Sequence, residues 1–109
     1  MFAADKIKDL TPAEVEAALA AGRILLVDVR EPAEFAAERI SGASNAPLST
    51  FDPGKLPMVE GHEIVFQCGS GKRSADAVER CRRAGYRADA HLAGGIAAWK
   101  AAGRPTIRG

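Results

Sequence analysis

The residues from Ile24 to Val29, with the sequence ILLVDV, form an almost continuous run of aliphatic side chains. A strand of this kind is typical of a parallel sheet that is covered by helices on both faces, because neither of its faces is suited to water. Arg30 follows at the carboxyl end of the predicted strand. This run therefore favours a parallel sheet within an α/β fold.

Predicted helices and strands alternate on both sides of this run. A first helix is predicted to begin at Pro12 and to be stopped by Gly22, because Thr11 supplies an N-cap hydroxyl and Glu14 stands three residues after it. Further helices are predicted over 32–39, 74–84 and 95–102, further strands over 43–46, 64–66 and 88–92, and an irregular segment over 48–61. Short connections imply right-handed crossovers, and so a three-layer α/β domain with helices on both faces of the sheet.

Composition limits the classes of function. The 109 residues suffice for one domain, 1–109, and leave no room for a second. The 15 basic and 14 acidic residues give a net charge of +1, so no overall field favours nucleic acid or an anionic membrane. No apolar run approaches the roughly 18 residues of a membrane span, and the first ten residues lack an apolar signal core. We therefore expect a cytoplasmic protein.

The stretch VFQCGSGKRS places Cys68 at the carboxyl end of a predicted strand. Ligands of open α/β sheets bind outside this edge, so Cys68 has the position of an active-site residue. Gly69 and Gly71 allow the backbone to turn several N–H groups inward, and the following helix points its positive dipole end the same way. We therefore expect residues 69 to 74 to form an anion-binding loop around one sulfur.

Such a loop would lower the pKa of the Cys68 thiol. A free cysteine with a pKa of about 8.5 is only a few per cent thiolate at pH 7, and a drop of about two units makes it mostly thiolate. That drop corresponds to roughly 2.7 kcal/mol, of which a helix dipole supplies about 0.3–1 kcal/mol. Loop amides and the charges of Lys72 and Arg73 must supply the remainder. The alternative, in which Cys68 is an inert buried residue and the loop only a turn, stays open.

The second cysteine, Cys81, stands on an apolar helix stripe with Ala77 and Val78. Seven residues beyond Ser74 place it about 10 Å along the helix, too far for a disulfide to Cys68 without rearrangement. A packing role is therefore expected. Two cysteines without a Cys-x-x-Cys motif or a Cys/His cluster also indicate neither a disulfide framework nor a metal site.

Four segments, in order along nearly the whole chain, resemble those of a single-domain rhodanese. They are LVDVRE at 26–31 followed by Glu34-Phe35, SGASNAP at 41–47, CGSGKRS at 68–74, and LAGGIAAW at 92–99 followed by Gly103 and Pro105. The resemblance implies a five-stranded parallel sheet and a catalytic cysteine at Cys68. It also implies a persulfide, because Cys68 would take the outer sulfur of a donor such as thiosulfate, release sulfite, and pass the sulfur to cyanide or a thiol.

The resemblance and the charges of the loop together define the expected substrates. An anionic donor is favoured, thiosulfate first, with mercaptopyruvate and glutathione persulfide as further candidates. The acceptor would be cyanide, a small thiol, or a thioredoxin-like or other protein, and no metal or organic cofactor is expected. The residues expected to bind the donor are Gly69, Ser70, Gly71, Lys72, Arg73, Ser74 and Arg30.

Other polar positions are interpreted as structural or left open. Arg30 either faces the catalytic crevice or pairs with a nearby carboxylate such as Glu34, and Asp28 is expected to be scaffold. Where many relatives carry Gly-His, this chain has Glu38-Arg39, which we interpret as a local change without loss of activity. The two histidines, His62 and His91, show no partner spacing and are expected on the surface or hydrogen-bonded in the core.

Two rival functions are considered. A cysteine-dependent phosphatase or arsenate reductase could use the same fold, but the phosphatase signature places five residues between cysteine and arginine, whereas four separate Cys68 from Arg73. The shorter loop suits the smaller group around one extra sulfur. A non-enzymatic binding module or sulfur carrier is the second rival, and kinetics with thiosulfate and cyanide would separate it from an enzyme.

Overall fold

The computed structural model describes residues 7–109. Residues 1–6, which belong to the stretch assessed above for a signal core, lie outside the described residues. Helices and strands alternate along the chain as follows: β1 (Lys8–Leu10), α1 (Pro12–Ala20), β2 (Ile24–Asp28), α2 (Pro32–Ala37), β3 (Glu38–Arg39), β4 (Ser44–Asn45), β5 (Glu63–Gln67), α3 (Lys72–Arg83), β6 (Ala90–Leu92), α4 (Gly95–Ala101) and β7 (Ile107–Arg108). Two short 3₁₀ turns, Leu48–Thr50 and Pro53–Lys55, occupy the segment predicted to be irregular.

Five strands form one parallel sheet in the order β1-β6-β5-β2-β4, which confirms the predicted α/β fold. The central pair is β2 with β5, where Leu26 lies opposite Val65 and Asp28 lies opposite Gln67. The edge strand β1, which has no counterpart among the predicted strands, pairs with β6. Because all five strands are parallel, their carboxyl ends meet at one edge of the sheet.

Two apolar clusters, one on each face of the sheet, form the core. Alternate residues of β2 divide between them, since Val27 packs in one cluster and Leu26 in the other. Helix α3 covers the first cluster with Ala77, Val78 and Cys81. Helices α1 and α4 cover the second, and their buried side chains are Val15, Ile96 and Trp99. The prediction of helices on both faces is therefore confirmed.

Helix α1 begins as predicted, with a capping box between Thr11 and Glu14. Two other helix boundaries differ from the prediction. Helix α2 ends at Ala37 and not at residue 39, because Glu38–Arg39 pairs antiparallel with Ile107–Arg108 in a small second sheet.

Helix α3 begins at Lys72, two residues before the predicted start. Gly71, with φ +104°, is its N-cap residue, and this left-handed conformation strongly favours glycine. The earlier start places the amide of Ser74 within the first turn of the helix, where it has no intrahelical acceptor. That amide is consequently available to a neighbouring anion.

Candidate active site

Cys68 directly follows β5, at the carboxyl edge of the sheet. Its side chain is fully buried and packs in the same cluster as Ala77, Val78 and Cys81 of helix α3. The two cysteines are free thiols. The burial of Cys68 is more complete than expected for a reactive cysteine. Whether its sulfur can exist as a thiolate therefore depends on the polar groups that contact it.

Hydrogen-bond donors from the loop converge on the sulfur of Cys68. The amide of Gly71 donates to Sγ at 3.1 Å and the amide of Ser74 at 3.3 Å. The hydroxyl oxygen of Ser74 lies 3.6 Å from the same sulfur. The loop and the first turn of α3 therefore direct two backbone amides at the sulfur; that they bind an anion there stays a prediction.

These donors determine the acidity of Cys68. Burial raises the pKa of the thiol, but the hydrogen bonds from the Ser74 side chain and from the amides of Ser74, Gly71 and Ser70 outweigh burial. The net result is a pKa below the ordinary value for cysteine. A larger fraction of the sulfur is therefore ionised near neutral pH than in a free thiol.

Helix α4 holds the opposite side of the cysteine loop. The amide of Ile96 donates to the carbonyl of Cys68 at 2.8 Å, and the amide of Ala97 donates to the carbonyl of Gly69 at 3.1 Å. A Cβ at Gly95 would overlap the carbonyl oxygen of Cys68. With the carbonyls of the loop fixed toward α4, its amides face the sulfur.

The two cations of the loop are placed differently. The guanidinium of Arg73 forms two hydrogen bonds with the carboxylate of Glu34, at 2.8 and 3.1 Å, and therefore pairs with α2. This pairing holds the pKa of Glu34 at about 2. Lys72 is exposed as the first residue of α3, and it forms no ion pair within residues 7–109. Of the two charges, that of Arg73 is neutralised by Glu34, although its side chain is 38% exposed, and that of Lys72 has no such partner within residues 7–109.

Arg30 pairs with a carboxylate, but that carboxylate is Asp28 and not Glu34. Its Nη2 lies 2.8 Å from Asp28 Oδ2, and its Nε donates to both oxygens of the same carboxylate at 3.1 Å. Nη2 also donates to the carbonyl of Glu38 at 2.6 Å. Asp28 is fully buried, as expected for a scaffold residue, and Arg30 ties the end of β2 to β3.

A second polar group lies behind the cysteine. The hydroxyl oxygen of Ser74 lies 2.7 Å from Nδ1 of His91, and Nε2 of His91 lies 2.7 Å from Oδ1 of Asp9. His91 is buried, in agreement with the expected hydrogen-bonded core position. The contacts of His91 were not predicted, because Ser74 meets it only where α3 packs beside β6 and Asp9 meets it only through the pairing of β1 with β6.

The remaining sulfur and histidine lie apart from these donors. Cys81 is fully buried in the apolar cluster of α3, and burial raises its pKa to about 11. Nδ1 of His62 lies 3.3 Å from the carbonyl of Glu60 near the surface. Cys81 has the environment expected of a packing residue, since nothing there stabilises a thiolate.

A cleft of about 820 Å³ lies at the amino ends of the parallel strands, opposite the end that carries Cys68. Lys8 and Glu63, the first residues of β1 and β5, line it together with Met58. Within residues 7–109, no group of three or more His, Cys, Asp or Glu residues is arranged to hold a metal ion. No helix in that same range is long and apolar enough to cross a membrane.

The fold and the loop together define a class of protein, namely parallel α/β domains that hold a cysteine within a loop of inward-facing amides at the carboxyl edge of the sheet. The sequence model described as the rhodanese-like domain matches residues 11–102. The chain therefore belongs to the rhodanese-like domain family. Proteins named as sulfurtransferases are among its relatives.

Individual relatives agree with this assignment. An uncharacterized protein of Synechocystis is 47% identical over 85 residues, which cover 78% of this chain and 48% of the relative. The chain thus spans about half the length of that relative. A human protein named thiosulfate:glutathione sulfurtransferase is 33% identical over 100 residues, covering 79% of this chain and 87% of the relative. A rhodanese-related protein of Thermoplasma volcanium has a crystal structure that superposes with a TM-score of 0.79, at 27% identity, over 92% of this chain and 97% of that one.

Proposed function

We propose that this protein is a sulfurtransferase that carries sulfur as a persulfide on Cys68, with thiosulfate as the favoured donor. The observation that supports the proposal best is the pair of backbone amides, those of Gly71 and Ser74, that donate hydrogen bonds to Sγ. These donors stabilise a thiolate, which is the nucleophilic form of cysteine. They are also suited to the anionic sulfur of a persulfide.

The proposed reaction has two steps. The Cys68 thiolate attacks the outer sulfur of thiosulfate, a new S–S bond forms, and the bond to the sulfonate sulfur breaks with its electron pair leaving as sulfite. Cyanide or a thiolate then attacks the outer sulfur of the persulfide, which returns Cys68 to the thiolate. The charge on sulfur persists throughout, so fixed amide donors assist both steps without a resident metal or organic cofactor.

The choice of thiosulfate as the sulfur donor rests on the positive charge near the cysteine loop. The exposed ammonium of Lys72 stands at the beginning of α3, where the helix dipole also favours an anion. The name of the human relative supports both thiosulfate as donor and a thiol, such as glutathione, as acceptor. A thioredoxin-like or other protein thiol would serve the same chemical purpose.

The burial of Cys68 adds a requirement to this mechanism. Because the side chain is fully buried, a sulfur-donor substrate reaches the sulfur only after a local movement, and we propose that this movement occurs in the segment from Gly69 to Gly71. Two glycines in this segment allow such a movement, since glycine has a wide range of accessible backbone conformations. The persulfide, one atom longer than the thiol, would require the same loop to adjust.

Intact-mass measurement after exposure to thiosulfate tests the proposal. The wild-type protein should gain the mass of one sulfur atom, and cyanide should remove it. Cys68→Ser should gain nothing, whereas Cys81→Ser should behave as the wild type because Cys81 lies in apolar packing. Absence of the added sulfur in the wild type, or its presence in Cys68→Ser, would contradict the proposal.

A further inference from the structure

Behind the cysteine, the buried imidazole of His91 is connected to the sulfur through one hydroxyl. Ser74 Oγ lies 3.6 Å from Cys68 Sγ on one side and 2.7 Å from His91 Nδ1 on the other. Asp9 Oδ1 lies 2.7 Å from His91 Nε2. The side chain of His91 is 8% exposed and that of Asp9 is 67% exposed, so the line of contacts runs from the buried sulfur to solvent.

From this geometry we infer that His91, oriented by Asp9, takes up the thiol proton of Cys68 through Ser74 and keeps it as an imidazolium while the sulfur is a thiolate. The inference deepens the proposed function and rests on it. His91 and Asp9 contact neither the sulfur of Cys68 nor the sulfur-donating substrate, so they are positioning residues that act through Ser74.

The directions of the hydrogen bonds support this path. The carboxylate of Asp9 can only accept, so Nε2 of His91 carries a hydrogen. In the neutral imidazole, Nδ1 is then an acceptor, and the hydroxyl of Ser74 donates to it. The lone pairs of that hydroxyl oxygen are left to accept from the S–H group of Cys68.

Transfer of one proton reverses these directions. The S–H proton of Cys68 passes to Ser74 Oγ while the hydroxyl proton of Ser74 passes to Nδ1 of His91, and no proton enters or leaves the site. The resulting imidazolium donates from Nδ1 to Ser74, and the new hydroxyl proton of Ser74 faces the thiolate. While His91 holds the proton, Nδ1 does not compete for the hydroxyl hydrogen of Ser74, so that hydrogen is free for the thiolate.

One competing acceptor lies nearby. The hydroxyl of Ser74 is also 3.2 Å from the carbonyl of Gly71. A hydrogen bond to an ionised acceptor is about twice as strong as one to a neutral acceptor, so the thiolate is the preferred acceptor once it forms. The line itself contains the titratable groups of Cys68, His91 and Asp9, from the loop, β6 and β1, and the neutral hydroxyl of Ser74 from α3. The charge of Arg73 on α3 also acts on the sulfur, and that guanidinium is paired with Glu34 of α2.

The test measures the ultraviolet absorbance of the thiolate as a function of pH, with no sulfur donor present. It uses a Cys81→Ser background, so that Cys68 is the thiol observed. His91→Asn keeps an amide that can bond to Ser74 but cannot hold a proton. The midpoint of thiolate formation should rise by about one pH unit, a tenfold loss of thiolate fraction well below the midpoint. Asp9→Asn should raise it by a smaller amount.

Matched controls separate the relay from a loss of charge in general. His62→Asn removes the other histidine, and Asp89→Asn removes a carboxylate two residues from His91 in sequence; both should leave the midpoint unchanged. In a Ser74→Ala background, His91→Asn should shift the midpoint less than it does with Ser74 present, because the two residues act in series. An unchanged midpoint in His91→Asn, or an undiminished effect without Ser74, would overturn the inference.

Two results distinguish this inference from the proposed function. If the midpoint shifts as expected while the wild type takes up no sulfur from thiosulfate, the relay stands and the donor chemistry fails. If the wild type takes up sulfur while His91→Asn leaves the midpoint unchanged, the sulfurtransferase stands and the relay fails. Should His91→Asn not fold, the exposed Asp9→Asn variant decides the matter, since an unchanged midpoint there contradicts the role of the pair.

Discussion

The backbone amide of Ile96 donates to the carbonyl oxygen of Cys68 at 2.8 Å, so the residue that carries the sulfur is fixed by α4 on one face of the sheet. Its sulfur receives hydrogen bonds from the loop and the first turn of α3, on the other face. The position of the sulfur consequently depends on the packing of both helices. A substitution where α4 meets the loop should therefore disturb the site and the fold together.

Gly95→Ala should destabilise the protein by about 3 kcal/mol, since the new Cβ would overlap the carbonyl of Cys68 in addition to the strain of φ +62°. Gly22→Ala is a matched control, because Gly22 has φ +66° and, apart from its own residue and its two chain neighbours, no heavy atom lies within 4 Å of the position that its Cβ would take. It should cost only about 1–2 kcal/mol. Chemical denaturation of both variants measures the difference, and equal losses would show that the contact with Cys68 is unimportant.

Lys72→Ala should raise the thiosulfate concentration needed for half-maximal transfer by about fivefold to tenfold, with little change in the maximal rate. The reason is the loss of one charge-assisted contact, of about 1–1.4 kcal/mol, to an anionic donor. Steady-state kinetics with thiosulfate and cyanide provide the measurement. Lys55→Ala, which removes an exposed lysine in a 3₁₀ turn, is the control. If both variants have the same concentration dependence as the wild type, the preference for an anionic donor loses its support.

Glu34→Gln should lower stability at neutral pH but not in acid. The hydrogen bond from Arg73 lowers the pKa of Glu34 from 4.5 to about 2, so the pair contributes fully above pH 4.5 and its contribution is lost as the pH falls toward 2. Because the Glu34 side chain is 41% exposed, we expect less than about 1 kcal/mol. Urea denaturation at pH 7 and pH 2.5, with Glu60→Gln as control, measures the effect. A difference that persists unchanged at pH 2.5 would contradict this account.

Cys81→Ser should lower stability by about 1–3 kcal/mol, because it places a hydroxyl in the apolar cluster of α3. Sulfur uptake by the folded variant should remain at the wild-type level. Thermal denaturation and intact mass are the two measurements. A loss of uptake as large as that in Cys68→Ser would reveal a second thiol in the reaction.

Much of the fold follows from local patterns in the sequence. Three such patterns are the aliphatic run of β2, the capping box of α1 and the glycines after Cys68, and each predicts the structure of only a few residues. The run of β2 favoured a parallel sheet, which the structure confirms. The convergence of loop amides on the sulfur was likewise predictable, because a strand, two glycines and a helix start follow one another without interruption. These features depend on neighbours in sequence.

Features that depend on distant residues were not predictable in the same way. His91 meets Asp9 across 82 positions, and Glu38 pairs with Arg108 across 70. Neither contact leaves a periodic pattern, and the strands concerned are only two or three residues long. The same reason explains why the predicted α2 is two residues too long.

The cleft beside Lys8 and Glu63 opens at the amino ends of the parallel strands, whereas the sulfur of Cys68 lies at their carboxyl ends. Met58, which lines this cleft, is half exposed. A fluorescent label or a surface-immobilisation handle attached at Met58 would therefore report on the domain from the side remote from its chemistry.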